Sequence, residues 1–334
     1  MNVFQENVDG IRMGKINKKG FEFSFAWLFA LLAGAVILFL AIYFAIKLIG
    51  TGESQISAAT AKQLTILFEP MQIGLESGKG NVAVLKEDTI IYNKCFYSGS
   101  FGTQRFSLSR KGFGNKWTKE GADIPVTNKH IFSNTSEQGK TVYFFSKPFM
   151  MPWKVSEVIF LTTENYCFVN APEEVKKDIP SSIQNIKFDN CSKEIKVCFG
   201  QGNCEIKVEG SCLGYNCESI YDSGFVSKNN EKIYYDSFGN GEVDRSLLYA
   251  AIFSSSEIYE CNIKRLMARL IQEALLYNDE SGFLTGRCGS LPETGLLEVA
   301  SAARNYKNSL DLASIKLAAL DAETENENAE CKLW

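Results

Sequence analysis

The 334-residue chain contains a single histidine, His130, which limits the catalytic and metal sites that it can build. A Ser-His-Asp or Cys-His site needs an imidazole base, so any such site has to use this residue. His130 lies in the polar run Asn128-Lys129-His130-Ile131, which favours a surface loop. Zinc sites usually pair C-x-x-C spacings with histidines, and the sequence has no such spacing. We therefore predict no catalytic residue, no cofactor and no metal.

Beyond its first 20 residues the chain also lacks any cluster of Lys and Arg. The 39 acidic residues outnumber the 35 basic ones, and the net charge is −4. Affinity for nucleic acid depends on neutralising phosphates with basic side chains, so we expect no nucleic-acid partner. No Walker A or Rossmann glycine pattern lies between a predicted strand and a predicted helix, which argues against a nucleotide cofactor.

What the sequence does contain is one long apolar run, residues 25–46, without a charged or strongly polar side chain. As a helix it reaches about 33 Å, enough to cross a hydrocarbon core about 30 Å thick. A cleaved secretory signal, the alternative, usually has an apolar region of only about 7 to 15 residues. Arg12, Lys15, Lys18 and Lys19 precede the run, so the positive-inside rule places the N-terminus in the cytoplasm. We predict a signal anchor that crosses the cell membrane once, with the bulk of the chain extracytoplasmic.

All the cysteines lie beyond this run, which indicates disulfide bonds formed in an oxidising compartment. The ten candidates are Cys95, Cys167, Cys191, Cys198, Cys204, Cys212, Cys217, Cys261, Cys288 and Cys331. Five of them fall within residues 191–217, so complete pairing requires at least one bond from this cluster to another part of the chain. Cys198 and Cys204 flank a glycine-rich loop and form the best single candidate pair.

The order of patterns along the chain predicts an α+β fold. Its parts are an N-terminal transmembrane helix, a disulfide-linked mostly-β ectodomain built as a sandwich or partial barrel, and a C-terminal helical hairpin. The predicted divisions are a cytoplasmic tail (1–20), a transmembrane helix (21–49), a stalk helix (50–78), a mostly-β extracytoplasmic domain (79–240) and a C-terminal helical region (241–334). Gly50 and Gly52 are expected to interrupt the stalk helix, and Pro70 to end or kink it.

Short alternating runs between turn residues mark the strands of the β domain. Strands are predicted at residues 81–86, 89–96, 104–109, 141–146, 157–162, 166–169, 184–188, 194–199, 204–208, 224–227 and 232–235. Asn229-Asn230 suits a two-residue hairpin turn because asparagine tolerates positive φ. Residues 195–208 are interpreted as a second hairpin, and residues 172–177 as a short helix.

From Ser246 onward the apolar residues repeat at helical spacing. Residues 246–254 and 256–278 predict one or two helices, with a stripe at Tyr259, Ile263, Leu266, Leu270, Ala274 and Tyr277. A last helix, packed on 256–278 as an antiparallel hairpin, is expected to carry a seam at Val299, Ala303, Tyr306, Leu310, Ala313, Leu317 and Leu320. The acidic residues between 321 and 330 oppose the helix dipole, so we expect fraying there and a return path that lets Cys331 reach another cysteine.

Two local motifs have simpler structural explanations. The sequence 291–295 spells a sortase signal, but charged residues follow where such a signal needs an apolar segment, so we interpret it as a helix start. Asp236, Glu242 and Asp244 could bind Ca²⁺ or do acid–base chemistry. The run from Asp236 has Phe238 as its third residue and Leu247 as its twelfth, so an EF-hand loop is not formed and solvated turns are favoured.

Residues 18–21, Lys-Lys-Gly-Phe before an apolar helix, resemble the processing site of type IV prepilins. In that family a peptidase cleaves after the glycine and the helix then packs in a filament. Pilins usually carry Glu five residues into the mature chain, where this sequence has Phe25, and its acid is Glu22.

A broader resemblance is to a group of uncharacterised archaeal single-pass surface proteins. It rests on Phe21-Glu22-Phe23-Ser24-Phe25-Ala26-Trp27-Leu28-Phe29-Ala30, Val197-Cys198-Phe199 and Tyr259-Glu260-Cys261-Asn262-Ile263-Lys264-Arg265-Leu266. The resemblance implies a membrane-anchored surface protein and brings no activity with it.

We therefore expect a non-catalytic surface binding or assembly protein. Its expected partners are the lipid bilayer and other surface proteins or glycans, with self-association through the transmembrane or C-terminal helices. The alternatives are a pilin-like filament subunit and a cell-envelope enzyme, which requires a deep pocket lined by convergent carboxylates or by His130. Asn134-Thr135-Ser136 and Asn190-Cys191-Ser192 make Asn134 and Asn190 candidate glycosylation sites.

Overall fold

The computed structural model describes residues 25–67, 80–98, 101–112, 115–211, 219–238, 243–288 and 293–334. Within these ranges the side chains of residues 48–58, 64–67, 285–288 and 293–294 are not described. The chain divides into two compact units, Met1–Gly52 and Glu53–Trp334. The fold is α+β as predicted, with an apolar N-terminal helix, a mostly-β body containing two mixed sheets, and C-terminal helices. A sandwich or partial barrel stays a prediction.

Helix α1 spans Phe25–Leu67. Its segment Phe25–Lys47 has a mean hydropathy of 2.7 and is exposed, and it is long and apolar enough to cross a membrane. The helical backbone continues through Gly50 and Gly52, so the predicted interruption there is wrong. Each glycine costs a helix only about 1 kcal/mol, which the strong helix formers on both sides outweigh. The break predicted at Pro70 lies outside the described residues.

The first sheet has six strands in the order β3-β2-β1-β5-β6-β4. They are β1 (Gly80–Phe96), β2 (Thr103–Arg110), β3 (Ile124–Val126), β4 (His130–Phe132), β5 (Ser136–Met150) and β6 (Lys154–Thr162). The two strands predicted at 81–86 and 89–96 form the single strand β1, whose register against β5 shifts between Val84 and Thr89. The turn signal between them therefore marks an irregularity within one strand.

His130 begins strand β4, so the predicted surface loop is wrong. Lys129 and His130 are each only 4% exposed. The residues of β4 pair in parallel with β6, His130 opposite Val158 and Phe132 opposite Phe160. A three-residue strand is too short to show alternation in the sequence, and here pairing with a buried neighbour overrides the polar local composition.

The second sheet has the order β12-β11-β10-β9-β7-β8. Its strands are β7 (Tyr166–Val169), β8 (Ile186–Phe188), β9 (Ile195–Phe199), β10 (Ile206–Gly210), β11 (Ser223–Lys228) and β12 (Glu231–Asp236). The predicted hairpin between β11 and β12 is confirmed, with Lys228 opposite Glu231. Asn229 and Asn230 have φ of 50° and 63°, as a two-residue hairpin turn of this kind requires.

The second predicted hairpin is wrong because β9 and β10 are parallel. Residues 200–205 lead the chain from the end of β9 back toward its beginning, where β10 starts with Ile206 opposite Val197. Glu205 Oε2 accepts a hydrogen bond of 3.0 Å from the Lys196 backbone N–H near the start of β9. The disulfide bond Cys198–Cys204 closes this path, which confirms the pairing predicted from the glycine-rich loop.

Two further disulfide bonds are described. Cys95 pairs with Cys261, and Cys167 pairs with Cys191. The second bond joins the 191–217 cluster to another part of the chain, as the cysteine count required. Cys331 is also disulfide-bonded, which confirms the predicted return of the chain. Of the other candidates, Cys212 and Cys217 lie outside the described residues, and the side chain of Cys288 is not described.

The helices after α1 are α2 (Glu173–Asp178), α3 (Ser246–Phe253), α4 (Ser256–Cys288), α5 (Glu293–Arg304) and α6 (Leu312–Asn328), with a 3₁₀ turn at Ser309–Asp311. Every residue of α3 is buried, and Phe253 packs its ring against Phe145 and Tyr166 in the larger hydrophobic core. The stripe predicted on α4 is confirmed, because Ile263, Leu266 and the other members are buried, with Tyr277 half-buried.

The single last helix predicted from the apolar seam is wrong. The chain breaks between α5 and α6, where Asn308 Oδ1 accepts from the Leu310 N–H at 3.1 Å and Asp311 Oδ2 accepts from the Asn308 N–H at 3.2 Å. This reciprocal capping starts a new helix and rotates its apolar face. Leu310 and Leu317 are consequently 60% and 64% exposed. The buried face of α6 is formed instead by Leu312, Ile315, Ala319, Ala322 and Asn326.

The fraying predicted for the acidic end of α6 is also wrong, since the helix continues to Asn328. Its acidic side chains have specific partners. Glu325 Oε2 accepts a hydrogen bond of 3.0 Å from the Gly295 N–H in the first turn of α5, where a negative charge is favoured. Glu323 accepts from the Trp334 indole N–H. These contacts offset the unfavourable position of the carboxylates at a helix C-terminus.

Candidate functional site

A pocket of about 590 Å³ opens where three segments of the body meet. Small-molecule sites typically occupy about 300 to 1,000 Å³. The segments are the β1–β2 connection, the residues leading into β4, and one face of α4. The lining residues are Ser98, Phe101, Gly102, Thr127, Asn128, His130, Arg265, Arg269, Gln272, Glu273 and Leu276.

Helix α4 supplies the cationic wall of this pocket. Arg265, Arg269, Gln272 and Leu276 follow one another at spacings of four, three and four residues, which places them along one helix face. The neighbouring stripe that contains Leu266 is buried in the core. Packing of that stripe therefore fixes the rotation of α4 and turns the two arginines toward the β1–β2 connection.

Arg265 is almost fully buried, at 2% exposed. Its Nε donates to the Phe101 carbonyl at 3.1 Å, and its Nη1 donates to Asn262 Oδ1 at 2.7 Å and to Gln104 Oε1 at 3.2 Å. Burial lowers the pKa of Arg265 to about 10, so the guanidinium remains charged at neutral pH. Arg265 thus holds the β1–β2 connection against α4 and contributes positive charge to the pocket.

The backbone of that connection needs glycine at position 102. Gly102 has φ of +61°, and a Cβ there would lie 2.5 Å from the Phe96 carbonyl oxygen and 3.0 Å from Arg265 Cγ. Any larger residue would push the connection away from Arg265. Gly102 therefore allows the close approach that orients Phe101.

His130 presents a neutral ring to the pocket. Its Nδ1 lies 3.1 Å from Ser156 Oγ, and that hydroxyl donates to the Glu157 carbonyl at 3.2 Å. A hydroxyl has one hydrogen, so while Ser156 donates to Glu157 its Oγ accepts from His130, and Nδ1 carries the ring proton. Burial, with added repulsion from Arg265 and Arg269, holds the pKa of His130 well below its usual value. Nε2 has no hydrogen-bond partner among the described residues, so it is left as an acceptor at the pocket.

Arg269 and Glu273 form an ion pair at the other end of the pocket. Arg269 Nε donates to Glu273 Oε1 at 2.9 Å, and the Trp153 indole N–H donates to Glu273 Oε2 at 3.0 Å. Burial raises the pKa of Glu273, although both donors oppose that shift. The arginines Arg265 and Arg269 face a single carboxylate, so the pocket carries a net positive charge within a chain whose net charge is −4.

Asp236 and Asp244, two of the acidic residues singled out from the sequence, do not line this pocket. Asp236 accepts from Lys316 Nζ at 2.7 Å. Asp244 accepts from the Met150 and Ser246 backbone N–H groups, both at 2.8 Å. Both carboxylates are buried, so the prediction of solvated turns is wrong for them, and burial raises the pKa of Asp244 to about 6. Glu242 lies outside the described residues.

The two glycosylation candidates differ in environment. Asn190 is exposed. Asn134 is half-buried, and its Nδ2 donates to Glu137 Oε1 at 2.8 Å. Neither residue lines the pocket.

The sequence predictions missed Arg265, Arg269 and Glu273. Their spacing on one face of a predicted helix was readable, but a basic face beside an apolar stripe is ordinarily a solvated surface. Only the meeting of three distant segments turns it into a pocket. No known protein family, curated protein or solved structure matches this chain.

Proposed function

We propose that this chain is a single-pass membrane protein whose extracytoplasmic body binds an anionic molecule in the pocket and releases it unchanged. The carrying observation is the net positive charge of the pocket, with Arg265 and Arg269 facing the one carboxylate of Glu273. The helix segment Phe25–Lys47 and the disulfide bonds of the body support the membrane anchor and the oxidising location. We also propose that the N-terminus is cytoplasmic, that the protein is one of the archaeal surface proteins that it resembles, and that its two sheets form a sandwich or partial barrel.

Thermal unfolding of the full chain in detergent micelles tests the binding. Acetate, citrate, inorganic phosphate and glucuronate are added at constant ionic strength against chloride. A ligand present at 100 times its Kd stabilises the folded state by about 2.7 kcal/mol. At least one of these anions should raise the Tm of the native chain and have little effect on Arg269→Gln.

Arg304→Gln is the matched control, because Arg304 is exposed on α5 and does not line the pocket. It removes the same charge and should respond to anions like the native chain. Sulfate and phosphate also stabilise proteins by exclusion from the surface, an effect that both variants keep. The proposal is overturned if no anion distinguishes Arg269→Gln from Arg304→Gln.

The orientation has a separate test. Protease added to intact cells should degrade the body and leave an epitope tag at the N-terminus protected. Loss of the tag with survival of the body would reverse the proposed topology.

A pilin-like filament subunit is a second candidate, favoured by the form of α1. The helix is unbroken from Phe25 to Leu67, and Ala61 is buried in the smaller hydrophobic core of the body. Sequencing of the mature N-terminus separates the candidates: Phe21 as the first residue supports filament assembly, and an intact Met1 excludes it.

An envelope enzyme is a third candidate, because His130 lines the pocket as that alternative required. An unpartnered Nε2 is a potential general base. Mass spectrometry of the anion recovered after prolonged incubation decides: an unchanged molecule supports binding, and a converted one supports catalysis.

A further inference from the structure

We infer that the anion is an acidic sugar, a uronic acid that places its carboxylate at Arg269, a hydroxyl at His130 Nε2 and its ring face against Phe101. This inference rests on the proposed function and narrows the class of ligand. Three different chemical features of the pocket carry it, and they lie on three separate segments of the chain.

His130 favours a ligand that donates a hydrogen bond. Nδ1 is occupied by Ser156 Oγ at 3.1 Å, and the ring is neutral. Nε2 is thus an acceptor at the pocket without a partner among the described residues, and a ligand that donates to it gains a hydrogen bond. A hydroxyl group provides the donor. A carboxylate, a sulfate or a fully ionised phosphate offers only acceptors.

The same ring argues against a cationic donor such as an amino-acid ammonium group. Arg265 and Arg269 both act electrostatically on His130, strongly enough to contribute to its low pKa. An ammonium at Nε2 would meet the same repulsion, whereas a neutral hydroxyl would not. The donor at this position is therefore uncharged.

Arg269 supplies the charged contact. Its Nε is committed to Glu273 Oε1 at 2.9 Å, but a guanidinium has further N–H donors, and the side chain remains partly exposed. Those donors suit a carboxylate. Arg265 is less suited, because its Nε and Nη1 are already bound within the protein.

Phe101 supplies an apolar surface at the pocket and is 47% exposed. Aromatic rings pack against flat ligand faces, and a pyranose has an apolar face of C–H groups beside its hydroxyls. A site that combines an aromatic ring, a cation and a neutral acceptor fits a carboxylated sugar better than a small anion without a ring.

The single histidine makes the test direct. The full chain in micelles is labelled with ¹⁵N-histidine and titrated with D-glucuronate, D-glucose, cyclohexanecarboxylate and L-phenylalanine. Glucuronate should shift the Nε2 resonance toward a hydrogen-bonded value. It should bind at least about tenfold more tightly than glucose, which lacks the carboxylate, or cyclohexanecarboxylate, which lacks the hydroxyls.

Two variants locate the contacts. Arg269→Gln and Phe101→Ala should each weaken glucuronate binding by about tenfold or more, and Arg304→Gln should remain within about twofold of the native chain. Phe101 is partly exposed, so its replacement leaves a folded protein in which the effect can be measured.

The outcomes separate the two proposals. Equal binding of cyclohexanecarboxylate and glucuronate, or tighter binding of phenylalanine, overturns the acidic sugar and leaves anion binding intact. Binding of glucose as tight as glucuronate overturns the acidic sugar, because the carboxylate would then contribute nothing. It overturns anion binding as well if no anion distinguishes Arg269→Gln from Arg304→Gln. If none of the four compounds shifts His130 while another anion raises the Tm of the native chain, only the acidic sugar is overturned.

Discussion

Cys95 on β1 and Cys261 on α4 are joined by a disulfide bond across 166 residues of sequence. The next residue on α4, Asn262, donates to the Ile131 carbonyl at 2.9 Å and accepts from Arg265. The bond therefore lies beside the polar network that connects β1, β4 and α4. It fixes the helix that carries Arg265 and Arg269 against the sheet that carries His130.

Removal of this bond should cost more stability than removal of the short-range one. In the chain-entropy model, Cys95→Ala with Cys261→Ala costs about 5 kcal/mol, and Cys198→Ala with Cys204→Ala costs about 2 kcal/mol. The reason is that the first bond closes a loop of 166 residues and the second a loop of 6. Urea unfolding of the two double variants and the native chain measures both losses. Equal losses would contradict the loop-length explanation.

The burial of His130 should make the protein less stable in acid. Its folded pKa lies well below 6.5 while the unfolded chain titrates near 6.5, so the unfolded state binds more protons below that pH. The stability that His130 contributes is complete above pH 6.5 and is lost as the pH falls, by about 1.4 kcal/mol per pH unit until the folded pKa is reached. The unfolding free energy of the native chain minus that of His130→Phe should therefore fall between pH 7 and 5.

The native chain has to be compared with His130→Phe because other buried groups also make its stability depend on pH. Burial raises the pKa of Glu137 and Asp244, so both bind protons more readily when folded and stabilise the protein as the pH falls. These contributions are common to the native chain and His130→Phe and cancel in the difference. A difference that does not change with pH would show that His130 is not held neutral.

The sequence predicts the elements whose structure depends on neighbouring residues alone. The Asn229-Asn230 turn requires positive φ at both residues, and the α4 stripe follows from a helical period sustained over 19 residues. The break at Asn308 was also readable, since Asn followed three residues later by Asp is a reciprocal cap. The apolar seam continues across this cap, so apolar spacing alone predicts one helix where the structure has two.

The remaining differences depend on contacts between distant segments. β4 is a strand because β6 lies beside it, and β9 and β10 are parallel because residues 200–205 return along the first strand. The pocket also forms through contacts between distant segments of the chain. Arg269 becomes part of a site only where α4 faces Phe101 and His130, and no local pattern encodes that meeting.

Trp334 should contribute more to stability than the other tryptophan near the surface of the body. Its ring lies 5.0 Å from that of Trp153 and 5.4 Å from that of Tyr277. Trp334→Ala should cost about 2 kcal/mol through lost aromatic packing, and Trp117→Ala, at a site 38% exposed, less than about 1 kcal/mol. Chemical unfolding measures both, and near-UV circular dichroism should change more for Trp334→Ala. Equal losses would mean that the aromatic cluster adds nothing beyond surface contact.

The fold should direct N-glycosylation to Asn190 and away from Asn134. Asn190 is exposed, whereas Asn134 Nδ2 donates at 2.8 Å to Glu137, a buried carboxylate that also accepts from the Thr163 backbone N–H at 3.0 Å. A glycan on Asn134 Nδ2 would disturb a charge-assisted bond worth about 2 kcal/mol. When the chain is expressed through a eukaryotic secretory pathway, mass spectrometry of its peptides should find glycan on Asn190 alone. Asn190→Gln should remove the glycan mass, and Asn134→Ala should keep it while lowering stability by about 2 kcal/mol. Glycan on Asn134 in the folded, secreted protein would contradict the structural role of that side chain.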